Sequence, residues 1–178
     1  MPSPLTIEDL GQGDWVGPVD DPEVLDGAPR HHWCGAMSSV EYVDSHSIDE
    51  QEAYFGNGQT QVVVRADRYQ PGDSYLRDRF ESVRFLDQCV VEAEDGPSGP
   101  VNSAAVRREP DGAFVLESHV TQSSHDFEIT VAIGVDEEWL VVVEVSHLEG
   151  AEGPDAVELL DRALANLKTL PAPEPDEA

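Results

Sequence analysis

Apolar residues recur along this chain with two different periods, and the switch between them divides it. From Leu76 the apolar positions Phe80, Val83, Leu86 and Val90 follow at steps of three and four. Arg77, Arg79, Glu81, Arg84 and Asp87 fill the intervening face, and Asp73 stands as N-cap, so the spacing predicts an amphipathic helix over 73–90. Ala156, Leu159, Leu160, Ala163, Leu164 and Leu167 form a second helical stripe, opened by Gly153-Pro154-Asp155. Between the two, the pattern is that of strands. Val101 to Arg108 turns at Pro110-Asp111-Gly112 into Ala113 to Val120, and Phe127 to Val135 turns at Asp136-Glu137-Glu138 into Trp139 to Val145.

Ahead of the first helix, Gln61 to Tyr69 carries the β-branched run Val62-Val63-Val64 and reads as a strand that ends at Pro71-Gly72-Asp73. Thr6 with Asp9 three residues on, followed by Leu10 and Gly11, predicts one short capped helix. Residues 11 to 33 read as a loop pinned by Trp15, Val16, Val24 and Leu25. Met37 to Val43 reads as a strand or connector, and Ile48 to Phe55 as a helical turn or two halted at Gly56-Asn57-Gly58. Grouped strands with helices before and after give an α+β class. The expected architecture is an antiparallel meander packed by two main helices and closed by one disulfide.

At 178 residues the chain fits one domain with a real core. Residues 1–4 read as a flexible start, 5–170 as the folded unit, and 171–178 as an acidic, proline-rich tail. Ten Lys and Arg against 37 Asp and Glu leave a formal charge of -27, a field that repels nucleic acid and anionic membrane surfaces. No apolar run reaches the ~20 residues that cross a bilayer, so membrane insertion of this chain is not expected. Met1-Pro2-Ser3-Pro4 lacks the basic and apolar regions of a secretory signal, which fits a cytoplasmic chain or one whose signal has been removed.

Cys34 and Cys89 are the only cysteines. They read as one long-range staple, which would place the protein outside a reducing cytosol, or as two buried free thiols. With no Cys-x-x-Cys, a redox role is not expected.

Other chemistry is thin. His31 and His32 beside Cys34 offer nitrogen and sulfur to zinc, but the spacing matches no established site, and neither metal nor cofactor is expected. His119, Ser123, His125 and Asp126 hold the residue types of a Ser-His-Asp apparatus, yet Gly-x-Ser-x-Gly is absent and polar residues at a hairpin turn are the ordinary explanation for them. Trp15, Trp33 and Tyr54 are large amphipathic groups that could line a cleft or pack into the core.

Several features occur in a recognisable order. Cys34 precedes the first core segment, Tyr69-Gln70-Pro71-Gly72-Asp73 enters the amphipathic helix, and Cys89 lies near its end. The pair of strands Phe127 to Gly134 and Trp139 to Val145 then leads to an Ala- and Leu-rich helix. This order resembles the extracellular sensor domain of actinobacterial receptor serine/threonine kinases of the PknH type and related secreted or lipid-anchored proteins. The family's second disulfide has no counterpart, since Ser123, Ser124, His125 and Ser146 occupy the matching stretches. What the resemblance implies is a non-enzymatic, extracytoplasmic sensor or ligand-binding module with a cleft between sheet and helix. Two other readings stand beside it. One is an acidic domain that captures a basic protein, and the other a small hydrolase using Ser123 with His119 or His125.

Overall fold

Val62, Val64 and Ala66 alternate with Gln61, Val63, Arg65 and Asp67, and in an extended chain this alternation sends the two sets to opposite faces of a sheet. The structure, a computed structural model, describes residues 3–19, 47–70, 101–108, 113–122, 125–136 and 138–169. Seven strands appear among them: β1 (Val16–Val19), β2 (Asp49–Gly56), β3 (Thr60–Arg68), β4 (Val101–Arg108), β5 (Phe114–Gln122), β6 (His125–Asp136) and β7 (Trp139–Leu148). They form one sheet in the order β1-β2-β3-β7-β6-β5-β4, every neighbouring pair antiparallel. Six strands are eight residues or longer, and β1 is a four-residue edge.

One α-helix, α1 (Ala156–Leu167), lies across β6 and β7. Asp155 caps it, its carboxylate accepting from Val157 N at 2.8 Å and Glu158 N at 3.0 Å. Ala156, Leu159, Leu160, Ala163 and Leu167 turn inward onto Phe55, Val62, Val64, Ala66, Ala132, Val141, Val143 and Val145, and Leu5, Leu10 and Trp15 complete this core. Gly134 makes the close seating possible. A Cβ there would stand 3.1 Å from Leu160 Cδ2 and 3.3 Å from Leu164 Cδ1.

The capped turn near the start is present as a short 3-10 helix, Ile7–Leu10, with Asp9 Oδ2 accepting from Thr6 N at 2.8 Å and Thr6 Oγ1 at 2.9 Å. The strands expected over 61–69, 101–108, 113–120, 127–135 and 139–145 all form.

Residues 16–19, read as part of a loop, form strand β1 against β2, and two larger expectations need correction. Residues 48–55 are not helical: Asp49–Gly56 is strand β2, paired along its whole length with β3. Gln51, Ala53 and Phe55 face the α1 side while Glu50, Glu52 and Tyr54 take the other, a period of two that pairing enforces over local helix preference. The hairpin turn is fixed by Asn57, whose Oδ1 accepts from Thr60 N at 2.9 Å and Gln59 N at 3.2 Å.

The second correction concerns the fold class. An α+β unit with two main helices is replaced, among the described residues, by a predominantly antiparallel β-sheet with one α-helix, while the two cysteines of the expected disulfide are not among those residues. The physical reason is that most apolar side chains are carried by strands, which bury residues on both faces. The segment read as an amphipathic helix over 73–90, together with Cys34 and Cys89, lies outside the described residues. No helix among the described residues is long and apolar enough to cross a membrane.

Candidate functional site

The face of the sheet turned away from α1 is also buried. Phe114, Leu116, Phe127, Ile129, Val131, Ile133 and Leu140 supply its apolar area. Neutral polar side chains cross this area in a single line. Gln61 on β3 pairs with Ser146 on β7, Ser146 with Ile129 on β6, and Ile129 with Ser118 on β5, all as direct cross-strand partners. Gln61 is 3% exposed, Ser146 1% and Ser118 3%, and Gln61 Oε1, Ser146 Oγ and Ser118 Oγ have no hydrogen-bond partner. Each such atom costs about 1–3 kcal/mol of desolvation in an empty protein. Native folds keep such atoms rare, and they mark places where water, an ion or a ligand completes the bonding.

Glu144 is the next residue of β7 on the same face, and it too is buried. Farther along, Arg65 Nε donates to Asp67 Oδ2 at 3.0 Å, and Arg65 Nη2 lies 3.1 Å from Glu50 Oε1. Burial works against the guanidinium's charge, but the hydrogen bonds and negative charge of Asp67, with Glu50 and Glu52 nearby, outweigh it and raise the pKa above its ordinary value. Arg65 is thus a fixed cation neutralised by its own neighbours, and this part of the face is a structural ion-pair network.

On the α1 face, the row one residue over holds His119, Glu128 and His147 as successive cross-strand partners. His119 Nδ1 lies 3.9 Å from Glu128 Oε1, and His147 Nδ1 lies 3.7 Å from Glu128 Oε2. His147 Nδ1 is also 3.2 Å from Leu148 O. No group of three or more His, Cys, Asp or Glu among the described residues is set to hold a metal ion.

The residues singled out from sequence are spread across the fold. His119 points to the α1 face beside Glu128, and His125 is exposed at the start of β6 with its ring 6.5 Å from that of Phe127. Ser123 lies outside the described residues, so its distance from either histidine is not part of this geometry. Trp15 sits in the core on the α1 side, whereas Tyr54 falls on the opposite face by its register with Val63. Trp33 lies outside the described residues.

Gln61, Ser118 and Ser146 escape a reading from sequence. Polar residues at alternate strand positions predict a solvated face, and only the burial of that face turns them into a site.

No family model matches the chain, and no curated protein does. Among solved structures it is similar to PA94 from Pseudomonas aeruginosa, described as a protein of unknown function. The identity is 11% over 73% of this chain and 85% of that one, with a TM-score of 0.32.

Proposed function

We propose that this chain is a non-enzymatic binding or sensing module that holds a small ligand against the sheet face opposite α1, and that it works outside the cytoplasm. The observation that carries the binding reading is the line of three buried, unpaired neutral oxygens on Gln61, Ser146 and Ser118. A fold that only needed stability would fill those positions with apolar side chains, because burying an unpaired polar atom opposes folding. Retaining three of them in one register points to groups kept for a partner. The extracytoplasmic placement is supported by the sequence resemblance to kinase sensor domains, with no contribution from this site.

The formal charge of -27 favours a second reading, capture of a basic protein partner by the acidic surface. Salt separates the two. Exposed charges are screened over a Debye length of about 10 Å at moderate ionic strength, whereas a ligand in a buried, neutral site is little affected.

Thermal-shift measurements with neutral, cationic and anionic small molecules, at low and high salt, test the proposal. The expected result is stabilisation by a neutral compound that persists at high salt and is lost in Ser146→Ala. If every stabilising compound acts equally on the wild type and the variant, the site is not where ligands bind and the proposal fails.

A further inference from the structure

The turn that joins β2 to β3 holds a reactive pair. Asn57 is followed by Gly58, whereas the other asparagines, Asn102 and Asn166, are followed by Ser103 and Leu167. The amide carbon of an asparagine is an electrophile that the backbone nitrogen of the next residue can attack, closing a succinimide ring. A side chain on that next residue crowds the approach, and glycine has none.

The fold prepares both partners. Asn57 Oδ1 accepts from Thr60 N at 2.9 Å and from Gln59 N at 3.2 Å. These two N–H groups draw charge away from the amide carbon, and they already stand where negative charge gathers as the ring closes, as the donors of an oxyanion hole do. Gly58 is exposed, and among the described residues its own N–H has no hydrogen-bond acceptor. Hydroxide can therefore take its proton without first breaking a bond. A Cβ built on Gly58 would meet nothing within 4 Å, so the turn also leaves room for water to follow.

We infer that Asn57–Gly58 is a modification site, at which the native turn promotes its own deamidation. Gly58 N, deprotonated by hydroxide, bonds to Asn57 Cγ and places the negative charge on Oδ1. Collapse of that oxyanion breaks the Cγ–Nδ2 bond, and Nδ2 leaves as ammonia with a proton from water. Water then opens the ring. Addition at Cγ gives an aspartate at position 57, and addition at the backbone carbonyl carbon gives an isoaspartate, with the chain running through Cγ. The isoaspartate inserts an extra backbone carbon into the turn, which disturbs the 3.1 Å bond from Asn57 N to Thr60 O and the Gly56–Gln61 pair beyond it. Either product adds a negative charge to a chain already at -27.

The test follows the intact chain by chromatographic peptide mapping with mass spectrometry during incubation at mildly alkaline pH, once native and once unfolded in guanidinium chloride. In the native chain, conversion of the Asn57 amide to an acid is expected, with isoaspartate in excess over aspartate. It should run about tenfold faster than in the unfolded chain, the worth of one hydrogen bond to the charged oxygen. Asn102 and Asn166 should keep their amides over the same period. The native rate should climb with pH, because the attacking species is the deprotonated amide, and Gly58→Ala should slow it. That variant also strains a residue with φ +83°, so the comparison of native with unfolded wild type is the one that decides. A native rate equal to or below the unfolded one would overturn the proposal, and so would equal conversion at Asn102 or Asn166.

Discussion

Arg65 and Asp67, two residues apart on β3, grip one another side by side: Arg65 Nε is 3.0 Å from Asp67 Oδ2 and 3.3 Å from Oδ1, and Nη2 is 3.2 Å from Oδ1. Asp67 is 1% exposed, so its carboxylate needs compensation within the fold, and that guanidinium supplies part of it. Arg65→Leu is expected to destabilise the protein by about 3 kcal/mol, the lower end of the range for breaking a buried pair, since the arginine is partly exposed. Urea unfolding of the single variant and of R65L/D67L checks this. The double variant should recover most of the loss, and equal losses in both would show that Asp67 was not the group left stranded.

Gly134 sets the distance between α1 and β6. Gly134→Val would push methyl groups into Leu160 and Leu164, and a loss of about 1–3 kcal/mol is expected. Thermal unfolding measures it. A wild-type Tm would mean that the helix can slide away from the sheet at no penalty.

At the edge strand β1, Gly17 has φ +131°, and a Cβ there would come within 2.6 Å of the Tyr54 carbonyl oxygen. Both the backbone conformation and the contact exclude a side chain without movement. Gly17→Ala is therefore expected to detach β1 from β2 while the other strands stay paired. Amide hydrogen exchange should show faster exchange confined to β1 and its pairing partners at Tyr54 and Gly56. Unchanged protection would refute it.

Helix α1 depends on its cap. Asp155→Ala removes the acceptor for two backbone N–H groups and should cost about 1 kcal/mol, whereas Asp155→Asn keeps an acceptor and should cost less. Denaturation midpoints of the two variants give the comparison, and an equal loss in both would assign the effect to charge instead of capping.

Periodicity located the long strands and α1 because their burial repeats at two or at three to four residues, and it located the Thr6–Asp9 turn because both partners are local. It failed where tertiary pairing overrides local preference. Asp49-Glu50-Gln51-Glu52 looks helical in isolation and becomes strand because β3 offers it a full set of backbone partners. The candidate site was hidden for a related reason. Gln61, Ser118 and Ser146 sit 57 and 28 residues apart along the chain, counting 118 − 61 and 146 − 118, and only the sheet order brings them into line. Their alternation with apolar neighbours is what a solvent-facing edge would also give.

The seam between β3 and β7 has a kinetic consequence. Arg68 on β3 and Glu138 at the head of β7 are 70 residues apart in sequence, yet they are joined by hydrogen bonds of 2.8 and 2.9 Å at one end of the seam. Such remote pairing must wait for a large loop to close, which raises the entropic barrier and slows folding relative to proteins built from local contacts. The β4–β7 meander, whose turns are short, can assemble first and serve as the template on which the β2–β3 hairpin docks. Refolding should therefore run on the millisecond-to-second timescale typical of sheets with non-local pairing, and truncating the Arg68 side chain should act mainly on the unfolding rate.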